Sequence, residues 1–118
     1  MSNLEEFFSS VESNAGDVIN RLGGSEALVK RFLGKFPKDE SFSLLEKSLE
    51  NNDTETAFRA AHTLKGLAAN LGIQSLYVKA ANVTELLRGG DLEGGKKDFP
   101  PLKEEYEAVI QKLEALGC

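Results

Sequence analysis

Residues 54–72 read TETAFRAAHTLKGLAANLG, and their apolar positions repeat with the period of a helix. Ala57, Ala61, Leu64, Ala68 and Leu71 follow one another three or four residues apart. Asp53 stands ahead of the run as an N-cap, and Gly72 ends it, because glycine tolerates the left-handed position past a helix C-terminus. At about 100° per residue those five side chains fall in an arc opposite His62. They face a core, and His62, the sole histidine of the chain, points away from it. On the outer face Glu55 lies two turns before the imidazole and Arg59 one turn before it, to one side. Lys65 and Gly66 lie one turn after it, and Ala69 two turns after it.

Gly66 is the unexpected residue on this face. Glycine inside a helix costs about 1 kcal/mol relative to alanine. Close helix–helix packing is the usual reason to accept that cost, but the wheel puts Gly66 on the exposed side with His62. Approach of another protein to the imidazole is the reading that fits. Lys65 read alone is a solvated surface lysine. Beside an imidazole that gains a phosphoryl group it would offset new negative charge.

The rest of the chain is also helical in pattern, with no period-two run of β-branched residues. Leu4 to Ser10 and Asp17 to Leu22 predict two short helices, the second stopped by Gly23-Gly24. Ser25 caps the next, and Leu28, Phe32, Leu33, Phe36, Phe42, Leu45 and Leu49 predict one long helix over 25–51, kinked at Pro37. Two helices broken near Pro37 is the alternative. Ser75 is the expected cap of a helix running to Arg88. The glycine-rich segment 89–97 reads as a flexible loop. Asp98 is the expected cap of the last helix, with Pro100 and Pro101 in its first turn, where a missing N–H matters little. Leu102, Tyr106, Val109, Leu113 and Leu116 form its stripe, and Gly117 closes it. The expected fold is therefore all-α: an antiparallel four-helix bundle with the short N-terminal helices capping one end.

Composition narrows the function. The 118 residues suit a single domain, 1–118, with its core at about 17–116. The formal net charge is −5, and lysines and arginines are scattered among acids, which disfavours nucleic acid and anionic membranes. There is no basic, apolar leader and no run of about 20 apolar residues. The lone cysteine, Cys118, forms no internal disulfide, and a reducing, cytoplasmic setting is the simplest. One histidine and one terminal cysteine make no zinc site. No glycine-rich nucleotide loop is present, and adjacent acids such as Glu104-Glu105 do not face each other on a helix. No metal and no cofactor is expected.

The run from Ala61 to Gly72 resembles the signature of histidine phosphotransfer domains of two-component relays: a histidine, two residues, Lys-Gly, then small residues and a glycine at the helix end. The matching positions are His62, Lys65, Gly66 and Gly72. Asn52-Asp53 upstream and Leu76, Ala80 and Val83 downstream look like the family as well. Two departures stand out: Leu67 follows the glycine where the family often has a small residue, and Val83-Thr84 stands where it often has Leu-Glu, with Glu85 one place late.

The resemblance implies a phosphocarrier, not an enzyme in its own right. His62 would accept a phosphoryl group from an aspartyl-phosphate receiver, or from a histidine kinase, and pass it to another receiver. Magnesium and the catalytic groups would sit on the receiver. An exposed imidazole is largely neutral and nucleophilic near pH 7, and phosphoryl transfer depends on positioning and charge neutralisation. Lys65 and Gly66 are the expected supporting residues; Phe58, Arg59, Ala69 and Asn70 are the expected docking residues. The partners implied are receiver domains of response regulators and hybrid histidine kinases, met by a monomer. The competing readings are a helical adaptor that keeps the bundle without phosphorylation, and a segment of a larger kinase. The start at Met1 and the end just past the last helix favour a free-standing protein over the second.

Overall fold

Caps in the sequence set most helix starts. The computed structural model describes residues 3–118. Its helices are α1 (Asn3–Ser10), α2 (Ala15–Arg21), α3 (Glu26–Lys35), a 3-10 turn (Phe36–Lys38), α4 (Ser41–Glu50), α5 (Thr54–Asn70), α6 (Gln74–Arg88) and α7 (Leu92–Leu116). The side chain of Asn14 accepts from Asp17 N at 3.0 Å, Ser25 Oγ from Leu28 N at 3.3 Å, and Asp53 Oδ1 from Thr56 N at 3.1 Å. Each occupies one amide that the first helical turn leaves without a partner.

The segment 25–51 is not one kinked helix. Pro37 removes an N–H and disfavours helix in the residue before it, and the chain passes through the 3-10 turn before α4 begins. Phe36 in that turn is buried, with its ring centroid 5.7 Å from that of Tyr106. Phe42 stacks on Tyr106 at 3.9 Å and on Phe99 at 5.5 Å, so one aromatic seam ties the turn and α4 to α7.

The last helix also departs from expectation. Residues 92–97 are helical, and α7 is capped by Asp91, whose Oδ1 accepts from Gly94 N at 2.8 Å. Asp98 lies inside α7, where its Oδ2 accepts from Asn82 Nδ2 of α6 at 2.6 Å. Pro100 and Pro101 are therefore interior, and both are exposed. Ser75 does not cap α6; its hydroxyl donates to Glu105 Oε2 at 2.6 Å.

α5 packs between α4 and α6, and α6 packs on α7, which closes back toward α4. The connections 51–53, 71–73 and 89–91 are three residues each, so neighbours run antiparallel. The 25 residues of α7 span about 37 Å at the usual helical rise, most of the 43 Å long axis of the molecule. α1 packs on α2 and α7. Ser75 N donates to Val11 O at 3.0 Å, and the Ser13 hydroxyl donates to Gly72 O, so the N-terminal segment covers the α5–α6 end of the bundle. Among the described residues there is no strand, and no helix is long and apolar enough to cross a membrane.

Candidate functional site

α5 turns one face fully inward. Ala57, Ala60, Ala61, Leu64 and Ala68 are buried along it, with Leu71 just past its end. Four of these are alanines, and small side chains let neighbouring backbones approach closely. The helix is thereby packed against its neighbours along its length.

His62 is the ninth of the 17 residues of α5 and is exposed. Backbone amides and carbonyls at mid-helix are occupied within the helix, so the imidazole is the reactive group offered there. Gly66 is exposed, and a Cβ built on it would meet nothing within 4 Å. Its missing side chain therefore serves no packing inside this chain. Lys65 is half-buried, one turn beyond His62. Thr63, also exposed, turns its hydroxyl back to Arg59 O at 3.0 Å.

The expected docking residues differ in character. Phe58 is half-buried, with its ring centroid 5.9 Å from that of His62 and tilted by 52°. Arg59 is exposed and lies 4.0 Å from Glu55. Ala69 and Asn70 are exposed, but their carbonyls accept from Arg21 Nη2 at 3.1 and 3.0 Å. Arg21 thus reaches from α2 to the C-terminal end of α5, where a cation is favoured by the helix dipole. Asn70 and Leu67 also line a recess with Phe32, Phe36 and Leu71.

Two residues of α6 belong to this neighbourhood and were not singled out for it by the sequence. The Arg88 guanidinium lies over the Phe58 ring, with Cζ 5.0 Å from the centroid. Arg88 Nε donates to Glu85 Oε2 at 2.8 Å. That hydrogen bond holds the Glu85 carboxyl below its ordinary range, helped by the nearby charges of Arg88 and Lys65. Thr84, one residue earlier, is fully buried and donates to Ala80 O at 2.7 Å, so it takes no part at the surface. The one-place offset of Glu85 was visible in the sequence; its closeness to His62 needed the packing of α6 on α5.

Among the described residues no three His, Cys, Asp or Glu side chains are grouped closely enough to hold a metal ion. An exposed imidazole flanked by an aromatic ring, a lysine and an open glycine gap is suited to carrying a group that a larger partner delivers. No curated protein matches the chain. No solved structure matches it either. The family model of the Hpt domain matches residues 27–114, from the start of α3 to the last turn of α7. That match covers most of the 118 residues and carries with it a phosphotransfer role in two-component systems and interaction with receiver domains: the chain belongs to the Hpt domain family.

Proposed function

We propose that His62 is the phospho-acceptor of this chain. It acts as one monomeric domain of a cytoplasmic phosphorelay, and nucleic acid has no part in it. The observation that carries this is the exposed imidazole at the middle of α5, one turn from a glycine with open space over it. A receiver bearing an aspartyl phosphate docks on this face. An imidazole nitrogen attacks phosphorus in line, the bond from phosphorus to the aspartyl oxygen breaks, and the aspartate leaves as a carboxylate. A nitrogen–phosphorus bond forms, and the ring proton is released to solvent. The reverse sequence delivers the group to a second receiver. Magnesium and the groups that polarise the transferring phosphoryl belong to the receiver, so the chain is a carrier.

Lys65 supports the step as a cation beside the new phosphoryl charge. Gly66 leaves room for the partner's backbone. Phe58, Arg59, Ala69 and Asn70 form the docking rim, the last two through their side chains, since Arg21 occupies their carbonyls. The test is incubation with phosphorylated receiver domains, scoring acid-labile, alkali-stable label on this chain. Label that survives acid, or that resides on another residue, rules the reading out.

A further inference from the structure

Phe58, Arg88 and Glu85 form a chain of contacts that begins at the imidazole. The Phe58 ring touches His62 on one side, and the Arg88 guanidinium lies over it. Through that ring, Arg88 Cζ is within about 11 Å of the His62 ring centroid, and a long, exposed arginine side chain has other staggered rotamers open to it. Arg88 is meanwhile held by Glu85, and both side chains are exposed, 51% and 60% respectively. Ion pairs this open to water are weak and exchange readily.

We propose that Arg88 is an exchangeable cation for the phosphoryl group on His62: parked on Glu85 and the Phe58 face in the resting protein, it turns to the phosphoryl oxygens once the group arrives. This rests on His62 being the acceptor. A phosphoryl group carries more negative charge than one carboxylate and offers three acceptor oxygens, which a guanidinium fork matches well. The same charge repels the Glu85 carboxylate. Both effects separate Glu85 from Arg88 and draw Arg88 toward phosphorus. While parked, the guanidinium leaves the imidazole open to an incoming partner. Once turned, it withdraws charge from the phosphoryl oxygens and opposes expulsion of the group to water, so the phosphohistidine lasts longer.

The experiment uses phosphoramidate as donor, so that no receiver is needed. The imidazole nitrogen attacks phosphorus, the bond from phosphorus to the amide nitrogen breaks, ammonia leaves and the ring proton goes to solvent. The lifetime of the phosphohistidine at neutral pH is then followed by phosphorus NMR. Arg88→Ala is expected to shorten the lifetime about threefold, the scale of an exposed ion pair, and Glu85→Gln to lengthen it by a similar factor. Arg88→Lys restores part of the loss. In the Arg88→Ala background, Glu85→Gln loses most of its effect, because there is no arginine left to release. Unchanged lifetime in Arg88→Ala, or a full Glu85→Gln effect without Arg88, overturns the proposal and leaves the acceptor reading standing. If the protein takes no label, or His62→Gln takes as much, the acceptor reading fails and this one with it.

Discussion

Gly95 of α7 lies so close to Leu87 of α6 that an added Cβ would stand 2.7 Å from Leu87 Cδ2. Gly95 is buried and Leu87 is 2% exposed, so neither has room to yield. Gly66 is the opposite case, with nothing within 4 Å of its virtual Cβ. Both glycines are helical, Gly95 in the first turn of α7 and Gly66 well inside α5, but one is required by the fold and the other is not. Gly95→Ala is expected to destabilise by about 1 kcal/mol net, overpacking outweighing the gain in helix propensity. Gly66→Ala is expected to stabilise by up to about 1 kcal/mol. Urea unfolding of the two variants checks the difference in sign.

Gly66→Gln extends the contrast to function. Its side chain would fill the gap beside His62, so transfer from a receiver is expected to slow severely while the isolated protein stays as stable as the parent or becomes more so. Transfer rate and thermal unfolding are measured on the same preparations. Normal transfer in Gly66→Gln removes the case for a partner backbone in that gap.

His62→Gln and Lys65→Ala separate nucleophile from support. The first is expected to abolish phosphoryl acceptance with a stability change within about 0.5 kcal/mol, as befits an exposed residue. The second slows transfer but leaves receiver binding nearly intact, because it removes a charge and adds no bulk. Binding measured by calorimetry beside the transfer assay distinguishes them.

Asp53 caps α5, and its hydrogen bonds with Thr56 hold its carboxyl below the ordinary aspartate range. A carboxyl depressed in the folded state stabilises the protein fully above its unfolded pKa, about 3.9, and the contribution is lost as pH falls from there through the folded value. Asp53→Ala therefore lowers Tm at neutral pH, and its difference from the parent shrinks as pH falls below that range. Asp53→Asn retains a capping oxygen with no carboxyl to titrate, so its own cap contribution does not fade as pH falls. Thermal melts across pH 2–7, a span of about five units bracketing the carboxylate range, compare the three proteins.

Arg21→Ala removes both hydrogen bonds to the carbonyls of Ala69 and Asn70. The expected loss is about 0.5 kcal/mol, with faster amide hydrogen exchange in the last turn of α5 and slower transfer if that turn belongs to the docking rim. Exchange unchanged at Asn70 and Leu71 would show that the turn is held without Arg21.

The period of the apolar residues by itself determined the all-helical class, the extent of α5 and the outward face that carries His62, Lys65 and Gly66. These are local properties: a 3.6-residue repeat, a capping aspartate and a glycine at φ 72° at position 72 fix them without reference to distant residues. The Pro37 break was equally local, and only its geometry, a 3-10 turn anchored by Phe36 on Tyr106, needed the bundle. Segment 89–97 misled because glycine content signals a loop when propensity is all there is to weigh. In the fold, the bare surface of Gly95 admits Leu87, and that packing offsets the weak propensity of the turn. Pro100 and Pro101 lie on an exposed part of α7, where water can reach the carbonyls they leave unbonded. Arg88 and Glu85 likewise became neighbours of His62 only through packing. They are 26 and 23 residues away in the chain, and what joins them to the imidazole is the antiparallel return of α6 along α5, a relationship that tertiary contact creates and no local pattern encodes.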